Sequence, residues 1–181
     1  MKPAQYYGNS LKICGLPLII SLVLIILSCA TGQAETYKVV RVYDGDTITI
    51  INNGQKQSIR LVGIDTPEKS RKKHEPGQPY SQQATKYLAK LVLDKRVSIE
   101  SYGTDRYGRV LGVVYAGDTN VNLEMVRMGY AEVYRGAPAK AFDSDPYLAA
   151  ENVARGQKSN IWSLGDRYLS PKDWRRMHLE K

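Results

Sequence analysis

A chain of 181 residues, 24% of them charged and 43% apolar, is long enough to bury one core and too apolar to be disordered throughout. Its formal net charge of +8 favours a polyanionic partner, although a field of that sign speaks to steering and not to fold. Thirteen tyrosines stand against two tryptophans and one phenylalanine, which suits half-wet surfaces and stacking sites as well as a core. There is no internal repeat and no low-complexity segment, so solenoid and linker architectures are set aside.

Residues 1–34 read as a leader, not as part of the fold. Lys2 and Lys12 flank a polar start, and Ile13 to Leu27 then runs without a charge, with Pro17 inside it. That run has the size of a signal-peptide core and is short for a membrane span. Gly32-Gln33-Ala34 offers a small-x-small cleavage site. Ile26-Leu27-Ser28-Cys29 offers a competing lipobox, which would leave a lipid anchor at Cys29. The expectation is a secreted or periplasmic domain, with a membrane-anchored lipoprotein as the alternative. Both cysteines, Cys14 and Cys29, fall in the leader, so a domain cut after Ala34 has no disulfide and is held by its core. Its charge would still be +6, because the leader removes two lysines and no acid.

Tyr37 to Tyr43 is rich in β-branched residues and predicts a strand; Asp44-Gly45-Asp46 breaks it, and Thr47 to Ile51 predicts a second. Asn52-Asn53-Gly54 is a hairpin signal, and Ser58 to Ile64 returns as the third strand. A basic loop, Lys69-Ser70-Arg71-Lys72-Lys73-His74, precedes a first helix with Ser81 as its N-cap and an end near Leu93. Val97 to Ser101 and Arg109 to Tyr115 predict strands four and five. Asn120 or Asn122 caps a short helix that Gly129 closes, Ala131 to Tyr134 is extended, and a third helix runs from about Pro146 to Arg155. Asn160-Ile161-Trp162-Ser163 tucks a tryptophan against the body. The division is then 1–34 leader, 35–163 domain and 164–181 polar tail. The class is α+β, a small five-stranded Greek-key barrel of the OB type with about three helices.

The chemistry lies at three turns. Asp46 and Asp65 are candidate ligands for a hard divalent cation, for which carboxylate and carbonyl oxygens suffice and calcium fits best. An EF-hand is excluded at Asp44-Gly45-Asp46, because the further acids and the glutamate at the twelfth position are missing. Glu68, three residues past Asp65 and beyond Pro67, is a candidate base for a water attacking phosphorus. Arg60, in the middle of an apolar strand, and Arg109, after a Tyr-Gly turn, are candidate clamps for phosphate oxygens. Tyr107 could stack on a base and Arg106 could touch a phosphate. How Asp46 reaches Asp65 stays open. With Asn53-Gly54 as a two-residue turn Asp46 faces Leu61, roughly 13 Å of strand short of Asp65. A four-residue loop at Gly54 to Gln57 would set the two opposite each other, and otherwise the coiling of a closed barrel must do it.

Asp44-Gly45-Asp46-Thr47, Arg60 to Glu68 (Arg-Leu-Val-Gly-Ile-Asp-Thr-Pro-Glu), Asp105-Arg106-Tyr107-Gly108-Arg109 and Asn160-Ile161-Trp162-Ser163 together resemble the thermonuclease (staphylococcal nuclease-like) family, in order and spacing, over about Tyr37 to Ser163. The resemblance implies a calcium-dependent endonuclease acting on DNA and RNA and leaving 3′-phosphorylated ends. It makes Asp46, Asp65 and the Thr66 carbonyl the calcium ligands. Arg60, Glu68 and Arg109 become the catalytic trio, and Tyr107 and Tyr134 the nucleotide contacts. A monomer with no protein partner is expected. The competing reading is a non-catalytic nucleic-acid-binding module on the same barrel, which would be expected to have lost a ligand, the base or an arginine; here all five positions are filled.

Overall fold

The computed structural model describes residues 35–70 and 74–179, together with Met1. The leader, with its cleavage and lipidation alternatives, lies outside the described residues, as does Arg71 to Lys73 of the basic loop. Residues 35–181 form one compact unit. Among the described residues no helix is long and apolar enough to cross a membrane.

Three strands open the domain: β1 (Thr36–Val42), β2 (Thr47–Asn52) and β3 (Gln55–Leu61). They pair as an antiparallel meander, and Asn52 faces Gln55 across a two-residue turn. Asn53 and Gly54 both take positive φ there, 48° and 76°, which is the backbone twist a tight hairpin needs. β5 (Arg96–Thr104) pairs with β1, and β6 (Val110–Ala116) pairs with β5. β3 then runs parallel to β6, with Arg60 opposite Leu111, and closes five strands into a barrel of the OB type. Short β7 (Thr119–Asn120) extends β6, and β4 (Ile64–Asp65) pairs with β8 (Glu132–Val133) as a separate ribbon.

Inward residues alternate along the strands. Ile48 and Ile50 of β2, Ile59 and Leu61 of β3, Val39 and Val97 are all buried in one cluster. Each such side chain contributes about 1.5–3 kcal/mol by leaving water. Helix α1 (Ser81–Val92) adds Ala84, Leu88 and Val92, one residue per turn, which is why an amphipathic segment here becomes a helix laid on the barrel. α2 (Val121–Arg127) buries Val121, Met125 and Val126, and α3 (Asp145–Gly156) buries Tyr147 and Ala154. Trp162 is buried, at the start of a 3-10 stretch over Asn160–Arg167.

Three expectations need correction, and one open choice is settled. The third strand does not run to Ile64: it stops at Leu61, because Gly63 turns the chain with φ 79°. Tyr80, in the left-handed region at φ 69°, is the residue before α1, and Ser81 is the first residue inside it. Asn120, not Asn122, caps α2, its side chain accepting from the Leu123 N–H at 2.9 Å. The described residues hold four α-helices and not three, for α4 (Pro171–Leu179) lies in the segment read as a polar tail.

Candidate active site

The tight hairpin leaves Asp46 opposite Leu61, whose N–H donates to the Asp46 carbonyl at 2.8 Å. The remaining distance to Asp65 is closed by the break after β3. Gly63 reverses the chain, the Tyr134 N–H donates to its carbonyl at 2.9 Å, and Asp65 folds back in β4. Asn122, fully buried, holds this break in place. Its amide donates to the Val62 and Gly112 carbonyls at 2.9 and 3.0 Å and accepts from the Val114 N–H at 3.0 Å. The two acidic turns also touch: a Cβ on Gly45 would stand 2.8 Å from Thr66 Oγ1, so only glycine lets them approach this closely.

Arg60 joins the carboxylates. Its Nη1 donates to Asp46 Oδ1 and its Nη2 to Asp65 Oδ1, both at 3.0 Å. The aspartate side chains are only 4% and 2% exposed. Burial pushes Asp46 up to about 8, with the Arg60 charge opposing that rise and the charges of Asp44 and Asp65 adding to it. Against the cost of its own burial, Arg60 is held above its ordinary value by Asp46 and Asp65. Thr66 is buried beside them. Among the described residues no three His, Cys, Asp or Glu side chains converge as a metal cluster.

One cleft is lined by Asp46, Arg60, Thr66, Glu68, Arg106, Tyr107, Arg109 and Tyr134. The sequence-derived residues thus come together, Asp65 lying directly behind the lining through Arg60. Arg109 is braced by its own turn: its Nε donates to Asp105 Oδ2 at 2.7 Å, and the Asp105 carboxylate also accepts the Tyr107 and Arg109 N–H groups. Burial would raise Asp105, but these donors hold it below the usual carboxylate range. Tyr107 is 69% exposed, with the Arg106 and Arg109 guanidiniums 4.8 and 5.6 Å from its ring centre.

Two residues at the site are not expected from the sequence. Arg175, on α4, places Nη2 2.6 Å from Asp65 Oδ2 and Nη1 2.6 Å from Glu68 Oε1. Buried Gln78 receives the Glu68 N–H on Oε1 at 3.0 Å and donates from Nε2 to the Leu169 carbonyl at 2.6 Å. The only sequence signal for Arg175 is a Trp-Arg-Arg triplet, which suggests surface association and points to no partner. Gln78, between Gly77 and Pro79, reads as loop.

A closed OB-type barrel thus gathers acidic turns and guanidiniums on one cleft. The sequence model of the family described as "Staphylococcal nuclease homologue" matches residues 58–164, and the chain belongs to that family. An "Uncharacterized endonuclease" of Escherichia coli is 42% identical over 159 residues, covering 86% of this chain and 95% of the relative. The "Thermonuclease" of Staphylococcus hyicus is 35% identical over 136 residues, 74% and 79% of the two chains. A "Micrococcal nuclease" of Shigella flexneri is 35% identical over 175 residues, 91% and 94% of the two.

Proposed function

We propose that the chain is a calcium-dependent endonuclease that hydrolyses phosphodiester bonds of DNA and RNA. The observation that carries this reading is the Arg60 guanidinium spanning Asp46 and Asp65 beside a cleft that also presents Glu68, Arg109, Tyr107 and Tyr134. The names of the relatives point the same way. The donor set fits the ion: two buried carboxylates, the Thr66 carbonyl, and no sulfur or imidazole donor among the described residues lining the cleft. Bound there, calcium would supply Lewis-acid stabilisation of a phosphoryl oxygen.

Glu68 accepts a proton from water as the water oxygen bonds to phosphorus. The bond from phosphorus to the 5′ oxygen breaks, that oxygen leaves as a hydroxyl after taking a proton, and the phosphate stays on the 3′ end. Arg109 and Arg60 donate to the non-bridging oxygens, where charge accumulates in the transition state. Tyr107 and Tyr134 receive the bases by stacking, and Arg106 meets the backbone. We read 1–34 as the export leader, with lipidation at Cys29 as its alternative outcome. The test is digestion of single-stranded DNA and RNA by the chain starting at Glu35, in parallel calcium, magnesium and chelator. Cleavage with calcium that stops on chelation is expected; undiminished cleavage under chelation would refute the metal assignment.

A further inference from the structure

The segment after Trp162 reaches the candidate site at three points. Tyr168 donates to Glu132 Oε2 at 2.6 Å, and Glu132 is the strand partner of Asp65. Leu169 is bound by Gln78, whose N–H and side chain also hold both backbone groups of Glu68. Ser170 then caps α4, accepting the Asp173 N–H at 3.0 Å. Within the next turn and a half Arg175 arrives at the carboxylates.

Its contacts have the geometry of a counter-ion in place. Nη2 and Nη1 lie 2.6 and 3.1 Å from the two Asp65 oxygens, and Nη1 also meets Glu68 at 2.6 Å. Asp65 Oδ1 already accepts from Arg60. An ionised carboxylate offers about four lone-pair sites, so three of those on Asp65 are occupied by guanidinium hydrogens. A calcium ion needs oxygens at roughly 2.3–2.6 Å and cannot share that edge with a guanidinium fork. Charge opposes joint occupancy as well, because an anionic pair that one cation neutralises binds a second less well.

We propose that Arg175 is a tethered counter-cation: it neutralises Asp65 and Glu68 while no divalent ion is bound, and α4 withdraws when one binds. The helix thereby sets the calcium concentration at which the site loads. This rests on the calcium reading above. The Tyr168–Glu132 and Gln78–Leu169 bonds lie before the helix, so they stay closed as it leaves and keep it close enough to return.

The test compares the wild-type domain (residues 35–181) with Arg175→Gln and Arg175→Lys. Calcium affinity is measured by calorimetry, and amide exchange over residues 171–179 with and without calcium. The Gln variant is expected to bind calcium at least tenfold more tightly than wild type, with the Lys variant between them. In the wild type, calcium is expected to accelerate exchange in α4. Equal or weaker binding by the Gln variant, or exchange in α4 unchanged at saturation, would overturn the proposal. If neither protein takes up calcium, the calcium reading falls and the competition falls with it. Equal binding by both leaves that reading standing and removes Arg175 alone.

Discussion

Replacing Arg60 with Met keeps most of the side-chain volume and removes the guanidinium that bridges both buried aspartates. Breaking a buried ion pair costs about 3–5 kcal/mol when the surviving charge is stranded. Two features temper that figure. Asp65 keeps Arg175, and Asp46 can take up a proton, since its carboxyl already sits at about 8. A loss of about 2–4 kcal/mol at pH 8 is therefore expected. Its pH dependence has a definite sign. Asp46 titrates higher in the folded chain than its ordinary 3.8. Its contribution is thus fully present below about pH 4 and declines as pH rises toward 8. Without Arg60 the Asp46 carboxyl is held higher still, so its decline runs on past pH 8 and the variant should fall further behind wild type at about pH 9 than at about pH 6. Urea unfolding at those two pH values and at pH 8, without divalent ions, measures this. A difference below about 1 kcal/mol at pH 8, the range of exposed pairs, would mean that the carboxylates are not desolvated as described.

Three further outcomes are expected. Glu68→Gln should keep the fold and lower kcat by about 10²–10⁴, the usual contribution of a positioned base, as read from initial rates on an oligonucleotide. Tyr107→Ala should raise KM with kcat little changed, by the equivalent of about 1–3 kcal/mol for one stacked base; an unaltered KM would remove the tyrosine from the substrate path. Asn122→Ala leaves the Val114 N–H and the Val62 carbonyl without the partner that each has now. At about 1–3 kcal/mol for each buried group, thermal or urea unfolding should show a loss of about 2–6 kcal/mol.

Much of the barrel could be read from the chain, because β-branched runs punctuated by Asp-Gly-Asp and Asn-Gly carry both strand and turn. The hairpin register also follows once Asn53-Gly54 is taken as the turn. How Asp46 meets Asp65, open on the sequence alone, is decided by Gly63. Its neighbours on both sides are apolar, so periodicity sees one strand where the backbone makes a break. Asn120 and Asn122 are equally good caps by residue type; only the barrel's closure shows that Asn122 is needed inside. Arg175 was beyond reach for a different reason. It meets partners 107 and 110 residues away through a short, mostly polar helix. Local propensity carries no information about such a contact.

The parallel seam between β3 and β6 has one more effect. It sets Arg60 beside Leu111, while Arg109 stands one residue before β6 begins and is held by the Asp105 turn. Sheet register moves only in whole residues, and a slip of one turns every side chain to the opposite face. The stem of Arg60 therefore cannot drift by small increments, whereas that of Arg109 moves with its turn. Any redesign to accept a wider or narrower backbone would act on the Asp105–Arg109 turn, because the rail that carries Arg60 allows no intermediate setting.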